Sequence, residues 1–183
     1  MITKKELRRN ILAIRSAMEQ DTVKLYSKAI CDFIIESDAY KMAADICLYM
    51  PIRNEVDVTL MLDTAWKDGK KIWLPRIIDG LMEFYYYDKS TELVADDRYH
   101  IPEPQSDRRL APGDRTLVVM PGAVFSVHKD RIGYGGGYYD RYLSKYPMCN
   151  TIAVCYNFQI VDDIQAELHD IKPDVIVSEA GQI

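Results

Sequence analysis

Short apolar runs alternate with helical segments along this chain, and this alternation limits its fold more than any other feature. Runs of strand length occupy 45–50, 116–120, 151–156 and 174–178. Short continuous apolar runs are typical of strands that are buried on both faces. Because helical segments separate them, we predict an α/β fold in which a parallel sheet is covered by helices on both faces. Ligands of such sheets bind beyond the carboxyl ends of the strands, here after Met50, Leu74, Met120 and Tyr156.

Helical spacing of apolar residues predicts four helices. The first begins after Thr3, which forms a capping-box pattern with Glu6 three residues later. The others are expected after Asp21, over 56–67 and over 138–145. The buried side of the second helix is predicted to carry Leu25, Ala29 and Phe33, with Ile30 and Ile34 beside them.

The remaining segments predict two more strands and a long loop region. A short strand over 71–74 is expected to stop at Pro75, and 82–87 favours a strand because aromatic residues suit sheets. The three adjacent tyrosines of that second strand would alternate between the two faces, so sheet packing explains them better than one shared pocket. The polar stretch 88–114 predicts loops with one short element.

Size and charge exclude several classes of protein. A chain of 183 residues with no repeat or linker is expected to be one domain over 1–183. Its net charge of −5 argues against general nucleic-acid binding. No apolar run approaches the ~18 residues that span a bilayer, and the charged start MITKKELRRN shows no secretion signal. The four cysteines lack metal or redox spacing, so we expect reduced core thiols and a cytoplasmic protein.

The segment RIGYGGGYYDRYL, at 131–143, holds four of the nine glycines of the chain. Glycine allows positive φ angles, and successive amides followed by a helix N-terminus form an anion site that suits phosphate. No Lys-Ser or Lys-Thr follows, so this is not a Walker A loop. It is not a dinucleotide fingerprint either, because Tyr138 replaces a glycine and no strand is expected directly before it. A phosphate loop, a tight structural turn and a mobile lid remain alternatives.

The residues that flank these glycines favour the phosphate interpretation. Arg131 can hold phosphate oxygens bidentately, and Asp140 could bind magnesium beside them. Tyr138 and Tyr139 could close the pocket or stack on a ring. Alternatively, Asp140 favours the helix start through its charge, and Tyr139 belongs to the core.

Two further places carry candidate residues. Lys4 and Arg8 lie one turn apart on one face of the first helix, with Arg15 two turns further along. Cations at a helix N-terminus oppose its dipole, so a bound anion would explain Lys4, although basic exposed faces are common. In PIRNEVDVT, Glu55 follows a strand end and could meet a substrate, or could be a first-turn acid of the next helix.

Three separated stretches resemble the 5-formyltetrahydrofolate cyclo-ligase family. They are KKELRRNI, MPIRNEVD and PGAVFSVHKDRIGYGGGYYDRYL, and LPRI, IPEP and NFQIVDDIQAELHDIKPDVIVSE add to the likeness. The family pattern has an acid after the Phe and a glycine before the Arg-Leu. Here Ser126 follows Phe125, Lys129 and Asp130 precede Arg131, and Ile132 is a mild replacement for the leucine. The lost glycine puts only the exact turn geometry in question.

The resemblance implies an ATP- and magnesium-dependent reaction that converts 5-formyltetrahydrofolate into 5,10-methenyltetrahydrofolate through phosphorylation of the formyl oxygen. It implies a three-layer α/β/α fold, similar to the sugar-phosphate isomerase and CoA-transferase group. We also expect a monomer, a substrate with or without a polyglutamate tail, and a glycine segment that is mobile before ATP binds.

The resemblance also assigns residues. The catalytic group would be Arg131, Tyr134 and Asp140, and magnesium would bind Asp140 and Asp170. The substrate would contact Met50, Glu55, Tyr134, Gly135, Gly136, Gly137 and Tyr138. ATP would contact Lys4, Lys5, Glu6, Leu7, Arg8, Arg131, Ile132, Gly133, Tyr134, Gly135, Gly136, Gly137, Tyr138 and Tyr139. A folate- or nucleotide-binding module without catalysis, and a kinase or ligase for another small acid, remain the alternatives.

Overall fold

A computed structural model of the chain describes residues 3–97, 99–164 and 170–183. Part of the closing stretch that contributes to the family resemblance, 165–169, therefore lies outside the described residues. The helices are α1 (Lys4–Ser16), α2 (Gln20–Glu36), α3 (Asp38–Met42), α4 (Leu62–Lys67) and α5 (Tyr138–Lys145), with 3₁₀ turns at Val58–Met61 and Asn157–Gln159. The strands are β1 (Asp45–Cys47), β2 (Lys71–Ile78), β3 (Leu81–Tyr87), β4 (Leu93–Ala95), β5 (Pro102–Pro104), β6 (Thr116–Met120), β7 (Val124–Ser126), β8 (Arg131–Ile132), β9 (Asn150–Val154), β10 (Ile160–Val161), β11 (Val175–Ser178) and β12 (Gly181–Gln182).

The central sheet has seven strands in the order β12-β11-β9-β6-β1-β2-β3. Its four inner pairings, from β11 to β2, are parallel, and the outermost strand at each edge is antiparallel. The prediction of an α/β fold with a mostly parallel sheet is thus confirmed. The four strands predicted from apolar runs are the core of this sheet.

Helices pack against both faces of the sheet, as predicted. Strand β6 shows why, because its side chains alternate between two apolar clusters. Leu117 and Val119 join the cluster beneath α2, α3 and α4, whereas Val118 and Met120 join the cluster beneath α5. All five residues of β6 are buried, so neither face of this strand meets water.

A third apolar cluster places α1 beside the glycine segment. Ile11 packs with Val124, Ile132 and Ile164, and these partners belong to or adjoin a small sheet in the order β10-β7-β8. The expectation that no strand precedes the glycines was wrong. The two-residue strand β8 pairs antiparallel with β7 and leads directly into Gly133. A strand this short gives no periodic signal in the sequence.

The predicted buried side of α2 was partly wrong. Leu25 and Phe33 are 66% and 48% exposed, whereas Ile30 and Ile34 are fully buried as expected. The buried stripe also contains Ser27, whose hydroxyl accepts a 2.8 Å hydrogen bond from the Asp57 amide. Apolar spacing alone cannot identify a stripe in which a hydrogen-bonded serine takes the central place.

Two boundaries also differ from prediction. The expected helix over 56–67 is a 3₁₀ turn followed by α4. Strand β2 does not stop at Pro75 but continues to Ile78, paired with β3. The backbone N–H and C=O groups of odd-numbered residues of β2 point toward β1, and β1 pairs with β2 only as far as Trp73. The missing N–H of Pro75 therefore removes no ladder hydrogen bond.

The structure also bears on several smaller expectations. Tyr86 packs edge-on against Trp73 on one face of the sheet, and Tyr87 packs against Trp66 on the other. The described residues of the region 88–114 form two short strands, β4 and β5, where the sequence predicted one short element. All four cysteines are buried and free. Among the described residues no helix has the length and apolarity that a bilayer crossing requires.

Candidate active site

A cleft of about 1060 Å³ opens at one end of the sheet. Its walls are α1, the loop 49–55 after β1, the glycine segment 131–141, and the region 96–103 around β5. The predicted strand-end positions Met50, Pro75 and Pro121 all line it. Residues 157–164, which directly follow Tyr156, do not line it, so three of the four predicted loops meet here.

The glycine segment forms a tight turn into α5. Gly135 and Gly137 have φ angles of +95° and +61°, and Gly137 caps the helix. A Cβ on Gly136 would approach the Tyr138 ring to 2.6 Å. These positions therefore need glycine, and the turn brings main-chain amides and a helix N-terminus to the cleft wall.

Arg131 is the best-enclosed cation of this segment. Its side chain is 5% exposed, and Nη2 lies 2.9 Å from Asp140 Oδ1. The guanidinium also lies over the Tyr139 ring, 5.8 Å from its centre. Within the described part of the chain, Arg131 Nε is a buried donor without a hydrogen-bond partner. Such a donor is costly unless a ligand oxygen satisfies it.

Two carboxylates stand near this arginine. Asp140 accepts a 3.2 Å hydrogen bond from the Ile171 amide, which brings α5 next to Asp170. Asp170 Oδ2 lies 3.4 Å from Lys4 Nζ, and both aspartates line the cleft. Within 3–97, 99–164 and 170–183 no group of three or more His, Cys, Asp or Glu side chains could hold a metal.

The first helix presents some of its predicted ATP contacts to the cleft, but not all. Lys4 and Arg8 line the cleft, and Arg8 donates a 3.3 Å hydrogen bond to the Gly133 carbonyl. The predicted contacts at Lys5, Glu6 and Leu7 do not line it. Glu6 closes the predicted capping box with Thr3, and Leu7 packs on the third apolar cluster.

Glu55 is a buried carboxylate at the other side of the cleft. It is 5% exposed and accepts hydrogen bonds from the Tyr134 hydroxyl and, at 3.0 Å, from the Ile52 amide. Arg53 and Asn54 adopt positive φ angles just before it, so it lies in a tight loop and not in a helix. Burial raises the pKa of Glu55, although Tyr134 and the charge of Arg15 oppose the rise.

Arg15 is a buried residue beside the cleft whose contacts the sequence did not predict. The sequence places it only on the basic face of α1, yet it is 2% exposed. It donates to the Tyr134 hydroxyl at 2.6 Å, to the Arg53 carbonyl at 3.1 Å and to the Gly122 carbonyl at 3.4 Å. The spacing of four from Ile11, which is buried on the same helix, was the available signal.

The wall around β5 was missed entirely. Tyr99, Ile101 and Glu103 line the cleft there, and Arg141 and Lys145 face it from α5. Burial raises the pKa of Glu103, which accepts a hydrogen bond from the Ile77 amide. Only Arg141 had a usable signal, because it lies three residues beyond Tyr138 on the same helix face.

Taken together, these features define an enzyme cleft with two unlike halves. One half offers amides, a helix N-terminus and cations, which suit a polyphosphate. The other half offers an enclosed carboxylate beside a tyrosine, which suits a polar organic substrate. The cleft therefore places the protein in the class of enzymes that bind a phosphoryl donor together with a second, organic substrate.

Comparisons with known proteins identify the family. The family model described as the 5-formyltetrahydrofolate cyclo-ligase family matches residues 1–179. The chain belongs to this family, whose members are ATP-dependent ligases, and the resemblance stated from sequence is confirmed.

Individual relatives cover most of the chain. The probable 5-formyltetrahydrofolate cyclo-ligase of Schizosaccharomyces pombe is 28% identical over 97% of this chain and 95% of its own length. The 5-formyltetrahydrofolate cyclo-ligase of Escherichia coli K12 is 30% identical over 75% of this chain and 79% of its own. The structure of Aquifex aeolicus 5,10-methenyltetrahydrofolate synthetase superposes with a TM-score of 0.87 at 28% identity, covering 98% of this chain and 91% of that one.

Proposed function

We propose that this chain cyclises 5-formyltetrahydrofolate to 5,10-methenyltetrahydrofolate with conversion of ATP to ADP and phosphate. The observation that carries the proposal is that one cleft holds both the glycine segment with Arg131 and the enclosed Glu55, joined through Tyr134. Family membership supplies the reaction, and the two halves of the cleft supply a place for each substrate.

The polyphosphate half would hold ATP. The amides from Gly133 to Gly137 would surround the phosphates, and Lys4 and Arg8 would approach from α1. Arg131 Nε, buried without a partner among the described residues, would gain a phosphate oxygen. A cation placed there stabilises the charge that spreads over a phosphoryl group in transfer.

Magnesium fits the same half of the cleft by its donor chemistry. Mg²⁺ in nucleotide sites takes one or two carboxylates and completes its shell with phosphate oxygens and water. Asp140 and Asp170 line the cleft and would be those carboxylates. When bound, the ion would neutralise charge on the phosphates, and Asp140 would then exchange part of its contact with Arg131 for the metal.

The other half would hold the folate. Glu55 would bind polar N–H groups of the substrate head, because an enclosed carboxylate selects donors strongly. Met50 lines the cleft beside it and would offer an apolar contact to a flat ring system. Tyr134 lies between the two halves, where the formyl group and the terminal phosphate must meet.

The chemistry asks mainly for alignment. The formyl oxygen attacks the terminal phosphorus and ADP leaves. The nitrogen at the folate 10-position then attacks the activated formyl carbon and loses its proton, and phosphate leaves as the methenyl product forms. No covalent bond to the protein is needed, so catalysis would come from proximity and from positive charge near the phosphoryl group.

A direct assay tests this proposal. With magnesium supplied, ADP release is expected only in the presence of 5-formyltetrahydrofolate, together with the absorbance of the methenyl product, and chelation with EDTA is expected to stop both. Arg131→Ala and Asp140→Ala should each lower kcat/KM about 100-fold or more, a loss of about 2.7 kcal/mol in transition-state stabilisation. Arg9→Ala, an exposed arginine of α1, is the matched control and should change little.

Two results would contradict the proposal. Tight folate binding that is indifferent to ATP, without ADP release, would indicate a binding module. ADP release with another small acid, but not with the folate, would indicate a different acceptor.

Several broader assignments belong to the same proposal. We infer a single cyclo-ligase domain over 1–183 that acts as a monomer in the cytoplasm, on substrates with or without a polyglutamate tail. The single sheet that includes both β1 and β12 supports one domain. The three-layer arrangement supports a relationship to the sugar-phosphate isomerase and CoA-transferase group.

A further inference from the structure

A buried arginine stands outside every role assigned so far. Arg15 is 2% exposed, although no carboxylate is its direct hydrogen-bond partner among the described contacts. Taking a guanidinium out of water costs several kcal/mol unless its donors are satisfied. An apolar side chain of similar volume could not make the hydrogen bonds that Arg15 makes.

The contacts of Arg15 join three separate segments of the cleft. Nε donates to the Arg53 carbonyl in the loop that carries Glu55, and Nη1 donates to the Gly122 carbonyl after β6. Nη2 donates to the hydroxyl of Tyr134, between two glycines of the loop before α5. One side chain on α1 therefore contacts the loop that carries Glu55, the segment after β6, and the glycine segment of the polyphosphate half.

The contact to Tyr134 continues to the substrate half. The Tyr134 hydroxyl accepts from Arg15 and donates to the Glu55 carboxylate. Because a hydroxyl has one proton, the donation from Arg15 fixes the direction in which Tyr134 must donate. Arg15 therefore sets the orientation of a side chain that bridges the two halves of the cleft.

We propose, on the basis of the function proposed above, that Arg15 is a positioning residue that couples ATP binding to folate binding. Nucleotide that orders the glycine segment also fixes Tyr134, which holds Glu55 in its binding orientation. Folate that engages Glu55 fixes Tyr134 in return and orders the glycine segment. When one ligand has already ordered Tyr134 and the glycine segment, the protein loses less conformational entropy on binding the other ligand. Binding of the two ligands is therefore cooperative.

The helix makes this coupling efficient. Arg8 bonds the Gly133 carbonyl, one residue before Tyr134, and the same helix packs on the small sheet that leads into the segment. The segment is thus held at two neighbouring residues from one rigid element.

Binding measurements test the coupling directly. The dissociation constant of a non-hydrolysable ATP analogue with magnesium is measured by calorimetry, with and without saturating 5-formyltetrahydrofolate. For the wild type we expect the folate to tighten the analogue at least fivefold, the lower end of typical coupling. Arg15→Lys, Arg15→Met and Tyr134→Phe should each bring the ratio close to one, while Arg9→Met retains the wild-type ratio.

Each outcome decides between the proposals. A wild type that binds neither ligand overturns the proposed function. A wild type that binds both without cooperativity, or variants that keep the wild-type ratio, overturn the role of Arg15 alone. Should Arg15→Met fail to fold, Arg15→Lys and Tyr134→Phe still decide, since both retain most of the packing volume. A purely structural role would lower stability and leave the ratio unchanged.

Discussion

Glu55 is a carboxylate whose surroundings disfavour its charged form. Its carboxylate is almost fully enclosed, and enclosure disfavours the charged form. The hydrogen bonds from Tyr134 and from the Ile52 amide offset only part of this, so its pKa lies above the ordinary 4.5. The sequence placed a carboxylate near the site but could not show its burial, because the turn at Arg53 and Asn54 that turns it inward leaves no periodic signal.

Replacing this carboxylate should change how stability depends on pH. The folded wild type binds the Glu55 proton more tightly than the unfolded chain does, so its unfolding free energy falls as pH rises above about 4.5. Glu55→Gln lacks this term. Its stability relative to the wild type should therefore rise with pH by up to about 1.4 kcal/mol per unit, until the folded pKa is passed. Urea unfolding at a series of pH values measures the difference, and a pH-independent difference would contradict it.

Lys129 lies in the stretch before Arg131 where the sequence analysis noted the loss of a glycine. Its φ angle is +66°, in the region that favours glycine. The turn survives because Ser126 accepts hydrogen bonds from the His128 and Asp130 amides. At this departure from the family pattern a lysine therefore adopts a positive φ angle, which strains the turn locally.

That strain should be measurable. Lys129→Gly is expected to be about 1 kcal/mol more stable than Lys129→Ala, because both lose the lysine contact to the Asp174 carbonyl but only glycine suits the positive φ. Urea unfolding compares the two. The same pair at Lys24, inside α2, is the control and should show the opposite order, since glycine weakens helices. Equal stabilities at position 129 would mean that the turn relaxes.

At the scale of elements, the glycine segment and α5 were predicted well, whereas the face of α2 was not. Helix α5 has the predicted bounds because glycines mark its start and apolar spacing marks its length. On α2, exposed Leu25 and Phe33 follow the same spacing as the buried residues, so spacing alone supported the wrong side. Only the tertiary contact between Ser27 and the Asp57 amide distinguishes them.

The need for glycine in the segment can be separated from general backbone strain. Gly135→Ala should raise the KM for ATP about tenfold, because its φ of +95° resists a side chain and the strain would shift the turn that holds the phosphates. Gly80→Ala imposes a similar strain at φ +77° in the β2–β3 turn, with open space around it. It should lower stability by about 1 kcal/mol without changing that KM. Steady-state kinetics on both variants decide, and equal KM values would remove the proposed role of Gly135.

At the scale of the whole molecule, alternation of apolar runs and helices was enough to predict the sheet and its two covered faces. Strand β6 met the prediction residue for residue, because burial on both faces leaves a continuous apolar run. The small sheet β10-β7-β8 was not predicted, since its strands have two or three residues. The cleft lies where the main sheet and this small sheet meet α1. Its cations Lys4, Arg8 and Arg131 could be named from sequence, whereas Arg141, Lys145 and the buried bridge through Arg15 could not.

The chain has two tryptophans, and one lies on each face of the main sheet. Trp66 packs on the side of α2, and Trp73 packs on the side of α5, where its indole donates to Asp45. The protein consequently carries a separate intrinsic fluorophore in each layer. With Trp66→Phe, tryptophan emission comes only from Trp73 in the α5 layer. With Trp73→Phe, it comes only from Trp66 in the α2 layer. The loss of each layer during unfolding can then be followed without an added dye.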